Sequence, residues 1–403
     1  MKRNYLYMLM GCLLANLAAC TDDAPDMKTD TDTGRRIYLS ACVGDIDEKS
    51  RTPYLSDGQT PTMSNPLNVS VWASTDTDFK FPHKTDQEGK VYDGSIGNEV
   101  AIHTTARFQS GEPQLLGEAI YPKPDEDGTI DVYFVGLYPQ SQTDSEWRGT
   151  NDNRKAFYEF SGKEDVMFAP RITGTYGLDY EEHPELIPEF HFYHLLTWLQ
   201  VQMVADKDVN NQAEQEKISA AWGKVKSLTL TDVQNRVTVD LTTAATEIDD
   251  KSDVTALTEF DGSGDMNFYL DGTDTSLNYS DQSEDGYVIP TQVTDVAYVM
   301  CAPVEGVFQH KVDEVDVLKP EYVIHVKTEN RELSIPIDLK VANGDNEDSY
   351  FKGSTMGKKF KILLNFKNGN VITVATDIMV SSDFDWYTHG TGITDLNEGN
   401  LNN

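Results

Sequence analysis

The sequence predicts an all-β fold of two antiparallel β-sandwich domains in tandem. Three features carry that expectation. Short runs rich in Val, Ile, Tyr, Phe and Thr alternate with polar residues and stop at Gly, Asp, Asn or Pro. Turn-forming stretches stand between them: PDEDG at 124–128, LDG at 270–272 and KNGN at 367–370. Helical periodicity is almost absent. Asn211–Ala221, with Ala213, Ile218, Ala220 and Ala221, is the one fair helix candidate, and a loop fits it equally well. Many short strands at this spacing build a sandwich rather than a parallel sheet covered by helices.

The elements follow in order. Lys2 and Arg3 precede an apolar stretch of about 15 residues, shorter than the ~20 that span a bilayer, so it reads as a secretion signal. It ends in Leu17, Ala18, Ala19 and Cys20, which resembles the lipobox of bacterial lipoproteins. That resemblance implies cleavage before Cys20 and a lipid on its thiol. Thr21–Asp32 is polar and acidic, too poor in apolar side chains to fold, as a tether should be. In some Gram-negative lipoproteins an acidic pair such as Asp22 and Asp23 accompanies surface exposure. Strands are then expected at Ile37–Cys42, Asn68–Ala73, Ile130–Tyr138, Phe190–Val204, Val225–Leu230, Arg236–Leu241, Val296–Cys301, Tyr322–Val326, Leu333–Ile337, Phe360–Phe366 and Val371–Val380. Asp76–Gly97 and Asp249–Asp265 read as long polar loops. EEHPELIPEF at 181–190 interrupts the strand pattern with two prolines and four glutamates and marks a domain boundary. The run after it, FHFYHLLTWLQVQMV, reads as one strand opening the second domain, apolar on both faces and so buried on both.

Composition narrows the function. Loss of Lys2 and Arg3 with the signal takes the formal net charge from −34 to −36, a surface that repels nucleic acid and anionic lipid. Of four cysteines, Cys12 lies in the signal and Cys20 in the lipobox; whether Cys42 and Cys301 pair is left open. His191 and His194, three apart on a strand, point to opposite faces and do not suit a metal. PDEDGT at 124–129 lacks the length and distal glutamate of a calcium loop. Ser141 and the other serines lack a glycine-flanked elbow, and the 67 carboxylates are too many for any pair to be informative. Trp72, Trp147, Trp198, Trp222 and Trp386 read mostly as strand-core residues, with sugar stacking by Trp72 or Trp147 as the lesser alternative. No catalytic residue, metal or cofactor is therefore expected.

Several stretches, in this order, resemble the fimbrillins, subunits of the lipoprotein-derived type V pili of Gram-negative anaerobes. They are LAAC, IYLSACVGDI, DEKSRTPY, NVSVWAST, DVYFVGLYP, DVMFAP, FHFYHLLTWLQV, SYFKGSTMGKKFKILLNFKNG and VITVATDIMVSSDFDWYTHG. Gly357, Phe360, Trp386 and Gly390 stand where that family has a glycine before an aromatic-rich strand and a closing tryptophan and glycine. The resemblance implies two transthyretin-like β-sandwich domains. It divides the chain into a signal peptide (1–19), a lipidated tether with a removable first strand (20–51), an N-terminal domain (52–185), a C-terminal domain (186–396) and a tail (397–403). It also implies a mechanism. The precursor reaches the outer membrane lipid-anchored, an arginine-specific protease cuts after the first strand, and a C-terminal segment of a neighbouring subunit fills the groove in the surface fimbrium.

The residues suit that scheme. Ile37, Leu39, Ala41 and Val43 alternate with Tyr38, Ser40 and Cys42, so one face of this strand can fill a groove. Arg51, 31 residues beyond Cys20 in a polar loop, is the expected cut, because cleavage there frees lipid and strand together. Arg35 and Arg36 precede the strand, so a cut at either leaves the groove filled. Expected partners are other fimbrial subunits, with a host protein or glycan as receptor; stalk, tip and anchor roles stay open. The alternative is a monomeric surface glycan-binding lipoprotein.

Overall fold

The computed structural model describes residues 39–43, 67–75, 84–85, 91–92, 101–108, 114–115, 130–139, 155–176, 178, 182–241, 258–273, 275–280, 282–304, 309–312, 315–318, 322–337, 339–341, 349–350, 355–369 and 371–379. Among them the chain is β throughout, apart from one 3₁₀ turn (Pro184–Leu186) and one helix, α1 (Gln212–Trp222).

The first sheet runs β1 (Ser40–Val43), β10 (Glu189–His194), β9 (Met167–Tyr176), β7 (Ile130–Tyr138), β2 (Leu67–Ser74), β5 (Ala101–Phe108) and β6 (Gln114–Leu115). The second runs β16 (Tyr269–Leu270), β17 (Thr294–Cys301), β11 (Thr197–Ala205), β24 (Lys359–Lys367) and β25 (Val371–Met379). A third joins β15 (Gly264–Asn267), β12 (Val225–Val233), β20 (Tyr322–Thr328) and β21 (Glu332–Ile337). A fourth joins β14 (Thr258–Asp261), β13 (Arg236–Asp240) and β8 (Lys155–Glu159). Small pairs complete the set: β3 (Lys84–Thr85) with β4 (Val91–Tyr92), β18 (Gln309–Val312) with β19 (Val315–Leu318), and β22 (Lys340–Val341) with β23 (Ser349–Tyr350).

The all-β expectation holds, and the departures from it have physical causes. Phe190–Val204 is not one strand. It breaks at Leu195 and Leu196, both fully buried. The Leu195 amide donates to the Val166 carbonyl at 2.8 Å, while the Leu196 carbonyl accepts from Gly357 N at 3.0 Å. The chain therefore passes from the first sheet to the second at this point. Only the second half is covered on both faces: β11 is buried along its whole length, whereas β10 alternates, with Glu189 and His191 exposed. β10 belongs to the first sheet, whereas β8, from earlier in the chain, pairs with β13. Sheet membership thus crosses residue 185 in both directions. Among the described residues two seams are parallel rather than antiparallel: β1 with β10 and β11 with β24.

Pro170 lies inside β9, where proline removes a ladder donor. The register accommodates it. Phe134 faces Ile172 and Gly136 faces Ala169, so Pro170 and Arg171 together oppose Val135 in a bulge. The expected loop Asp249–Asp265 contains β14 and the start of β15. The segment left open between helix and loop is helical. The Asn211 side chain accepts from Ala213 N at 3.0 Å, and Gly223, at φ +75°, closes the other end.

One core is shared by the second, third and fourth sheets and one face of the first, reached through Trp72, Val135, Leu137 and Phe168. A smaller core covers the opposite face of the first sheet. It gathers Val69, Val71, Phe108, Phe134, Phe190 and Phe192, and it is closed at its rim by Leu39 and Ala41.

Candidate functional site

The candidate site is that rim. Among the described residues β1 lies at the end of the first sheet and pairs with β10 alone, with Ser40 opposite Glu189, Ala41 opposite Phe190, Cys42 opposite His191 and Val43 opposite Phe192. The Ser40 amide donates to the Pro188 carbonyl at 3.0 Å and fixes the register. Alternation turns Phe190 and Phe192 inward, both fully buried, and leaves Glu189 and His191 outside. The Phe108 and Phe190 rings meet edge to face at 6.0 Å between centroids, and Phe190 and Phe192 lie 5.6 Å apart. Leu39 and Ala41, 2% and 4% exposed, lie over this aromatic floor.

Of the residues expected to matter, Leu39 and Ala41 thus meet in one core. Val43 ends the paired strand; Ile37, Cys20 and Arg51 lie outside the described residues. Phe108, Phe190, Phe192, Pro188 and Gly136 form the other side of the seat and were not singled out from sequence. The F-x-F alternation in EFHFYH is the signal that could have found two of them. A Cβ at Gly136 would stand 2.8 Å from the Phe192 ring, so the absent side chain on β7 makes room for that ring.

His191 and His194 diverge as strand geometry requires. His191 is exposed, 3.6 Å from the Glu189 carboxylate. His194 is buried, its Nδ1 2.8 Å from Asp165 Oδ2, and this pair anchors the corner where β10 ends. Trp72 is buried in the core, which rules out sugar stacking there, and Trp222 ends α1 rather than filling a strand; Trp147 and Trp386 lie outside the described residues. Cys301 is a free thiol in the main core, pushed up to about 12 by burial, with its Sγ 3.6 Å from the Thr197 carbonyl. Lys226, almost wholly buried, donates to the carbonyls of Ser283 and Asp285 at 2.8 and 2.5 Å and tethers the 283–285 turn. Lys359 lies over the Trp198 ring at 3.8 Å, its amine pushed down to about 8 by burial and then by Lys361.

No protein-family model matches the chain, and no curated protein matches it. Solved structures do. A candidate cell adhesion protein of Bacteroides ovatus is 11% identical, with 87% of this chain and 99% of that one covered at a TM-score of 0.43. A candidate cell adhesion protein of Bacteroides uniformis is 12% identical, with 85% and 96% covered at 0.40. A fimbrial assembly protein of Parabacteroides distasonis is 10% identical, with 85% and 95% covered at 0.34.

Proposed function

We propose that the chain is a structural or adhesive subunit of a cell-surface fimbria, assembled by replacement of its first strand. In this reading it is exported on a lipid at Cys20 and cut after Arg51. The chain then divides into the removable segment 20–51 and two tandem domains. The observation that supports it is β1 itself. Among the described residues it has one neighbouring strand, lies at the rim of its sheet, and brings two buried apolar side chains to a core otherwise built from later residues. Burial of a leucine side chain stabilises by about 2 kcal/mol, and an alanine adds less. Removing β1 uncovers the outer edge of β10, a row of unpaired backbone groups beside apolar side chains, and such an edge binds a further extended segment readily. A rim strand held this way is replaceable without dismantling the rest.

The test is limited cleavage by an arginine-specific protease, followed by amino-terminal sequencing and light scattering. The expected product begins at Thr52 and grows into filaments or ladders as segment 20–51 is lost. A product that loses that segment, stays monomeric and is retained on polysaccharide beads overturns the fimbrial reading in favour of a glycan-binding lipoprotein.

A further inference from the structure

We infer that the seat of β1 selects its occupant by side-chain size, admitting a bulky residue at the place of Leu39 and only one of about alanine's size at the place of Ala41. This rests on the strand-replacement reading above and states which extended segments the seat accepts. Ala41 stands directly opposite Phe190 in the parallel register. The Phe190 ring is held edge-on by Phe108 at 6.0 Å and flanked by Phe192 at 5.6 Å. Phe192 is itself wedged against β7, where even a methyl group on Gly136 would come within 2.8 Å of its ring. Each ring is therefore backed by another rigid group. A bulkier residue at Ala41, 4% exposed in the same core, must displace its neighbours there, and close-packed interiors resist extra methylenes. Leu39 is placed differently. It precedes the paired residues, beside the bond from Ser40 N to the Pro188 carbonyl, and it is the leucine itself that fills the space to 2% exposure. A small residue there leaves a cavity. The seat thus reads a large-x-small pattern.

The test uses the full chain cut at Arg51, with segment 20–51 displaced by labelled peptides spanning residues 37–45. The native peptide is expected to exchange in. A peptide carrying Ala41→Leu is expected to bind at least about ten-fold more weakly, and Leu39→Ala likewise. Equal binding of native and Ala41→Leu peptides overturns the size filter and leaves strand replacement standing. Failure of the native peptide itself to exchange overturns strand replacement and the filter together. A second arm needs no cleavage. In the intact chain Ala41→Leu is expected to lower the melting temperature, and equal melting of Ala41→Leu and the unsubstituted chain overturns the filter.

Discussion

The two parallel seams among the described residues use the same backbone pairing in opposite surroundings. β1 pairs with β10 over four residues at the rim of its sheet, with no strand beyond it among the described residues. β11 pairs with β24 over eight residues inside its sheet, and β17 closes its other side. Both join segments far apart in the chain, as a parallel pair must. All nine side chains of β11 are buried. In β1 and its approach, Leu39 and Ala41 are buried while Ser40 is only half-buried. The contrast is between a long-range strand buried on both faces and flanked on both edges and one that, among the described residues, has a single neighbouring strand.

The largest effect should fall on the interior seam. Leu199→Ala removes a fully buried side chain from β11 and should lower global stability by about 4 kcal/mol, read from denaturant midpoints. Leu39→Ala should cost about 2 kcal/mol and mainly speed hydrogen exchange of the β1 amides. Equal losses of global stability at the two positions would break the comparison.

Lys359 sharpens it at the next level down. It stands opposite Trp198 at the start of the interior seam, 5% exposed. Its amine ionises near 8 in the fold, against about 10.4 in the unfolded chain. Between those values the unfolded chain binds a proton that the folded one does not, so this residue makes stability rise with pH across that window. The span is about 3 kcal/mol. Cys301 acts in the opposite sense. Its thiol stays protonated in the fold up to about 12, so its contribution falls as pH rises above ~8.5. Comparison with Lys359→Met isolates the lysine. The variant should gain stability over the unsubstituted chain at pH 7, less whatever the ammonium draws from the Trp198 ring, and the gain should shrink between about pH 8 and 10.4. A gain that is constant across that window would show that burial does not hold the amine down.

Gly136→Ala should cost about 2 kcal/mol, because the new methyl group forces the Phe192 ring out of the floor beneath β1. The loss should appear in the first sheet, as faster exchange at β10, with the β11 amides unchanged. Uniform loss of protection across both sheets would show that the two regions do not open separately.

Much of this arrangement was legible in the sequence. Ile130–Tyr138 is β7 to the residue, and Val371–Val380 is β25 but for its last position. Leu39 and Ala41 were placed on one buried face by alternation alone. What escaped was long-range. A long hydrophobic run looks the same whether it is one strand or two, and the partners of Leu195 and Leu196, at Val166 and Gly357, decide where it breaks. β9 was missed because Pro170 reads as a strand terminator unless the bulge opposite Val135 is known. The floor of the seat was hidden for the same reason. Phe108 and Gly136 are far from Phe190 in sequence, and nothing local announces that the three meet.

The smallest expected effect concerns what locks the interior seam at its far end. Trp222, the last residue of α1, donates from Nε1 to the Lys367 carbonyl at 3.0 Å and meets the Phe366 ring edge to face at 5.3 Å. Arg331 covers its other face at 4.5 Å. α1 itself depends on its first turn, where Asn211 takes up one of the unpaired amide donors. Asn211→Ala should cost about 1 kcal/mol. The cost should be felt as earlier fraying of α1 with Trp222 still docked, since the tryptophan's contacts lie at the opposite end of the helix. Trp222 fluorescence unchanged at low denaturant, with faster amide exchange at 213–216, would place the cap outside the seam. Coincident loss of both signals would show instead that helix and seam are one cooperative unit, a lock for which the described residues of β1 show no counterpart.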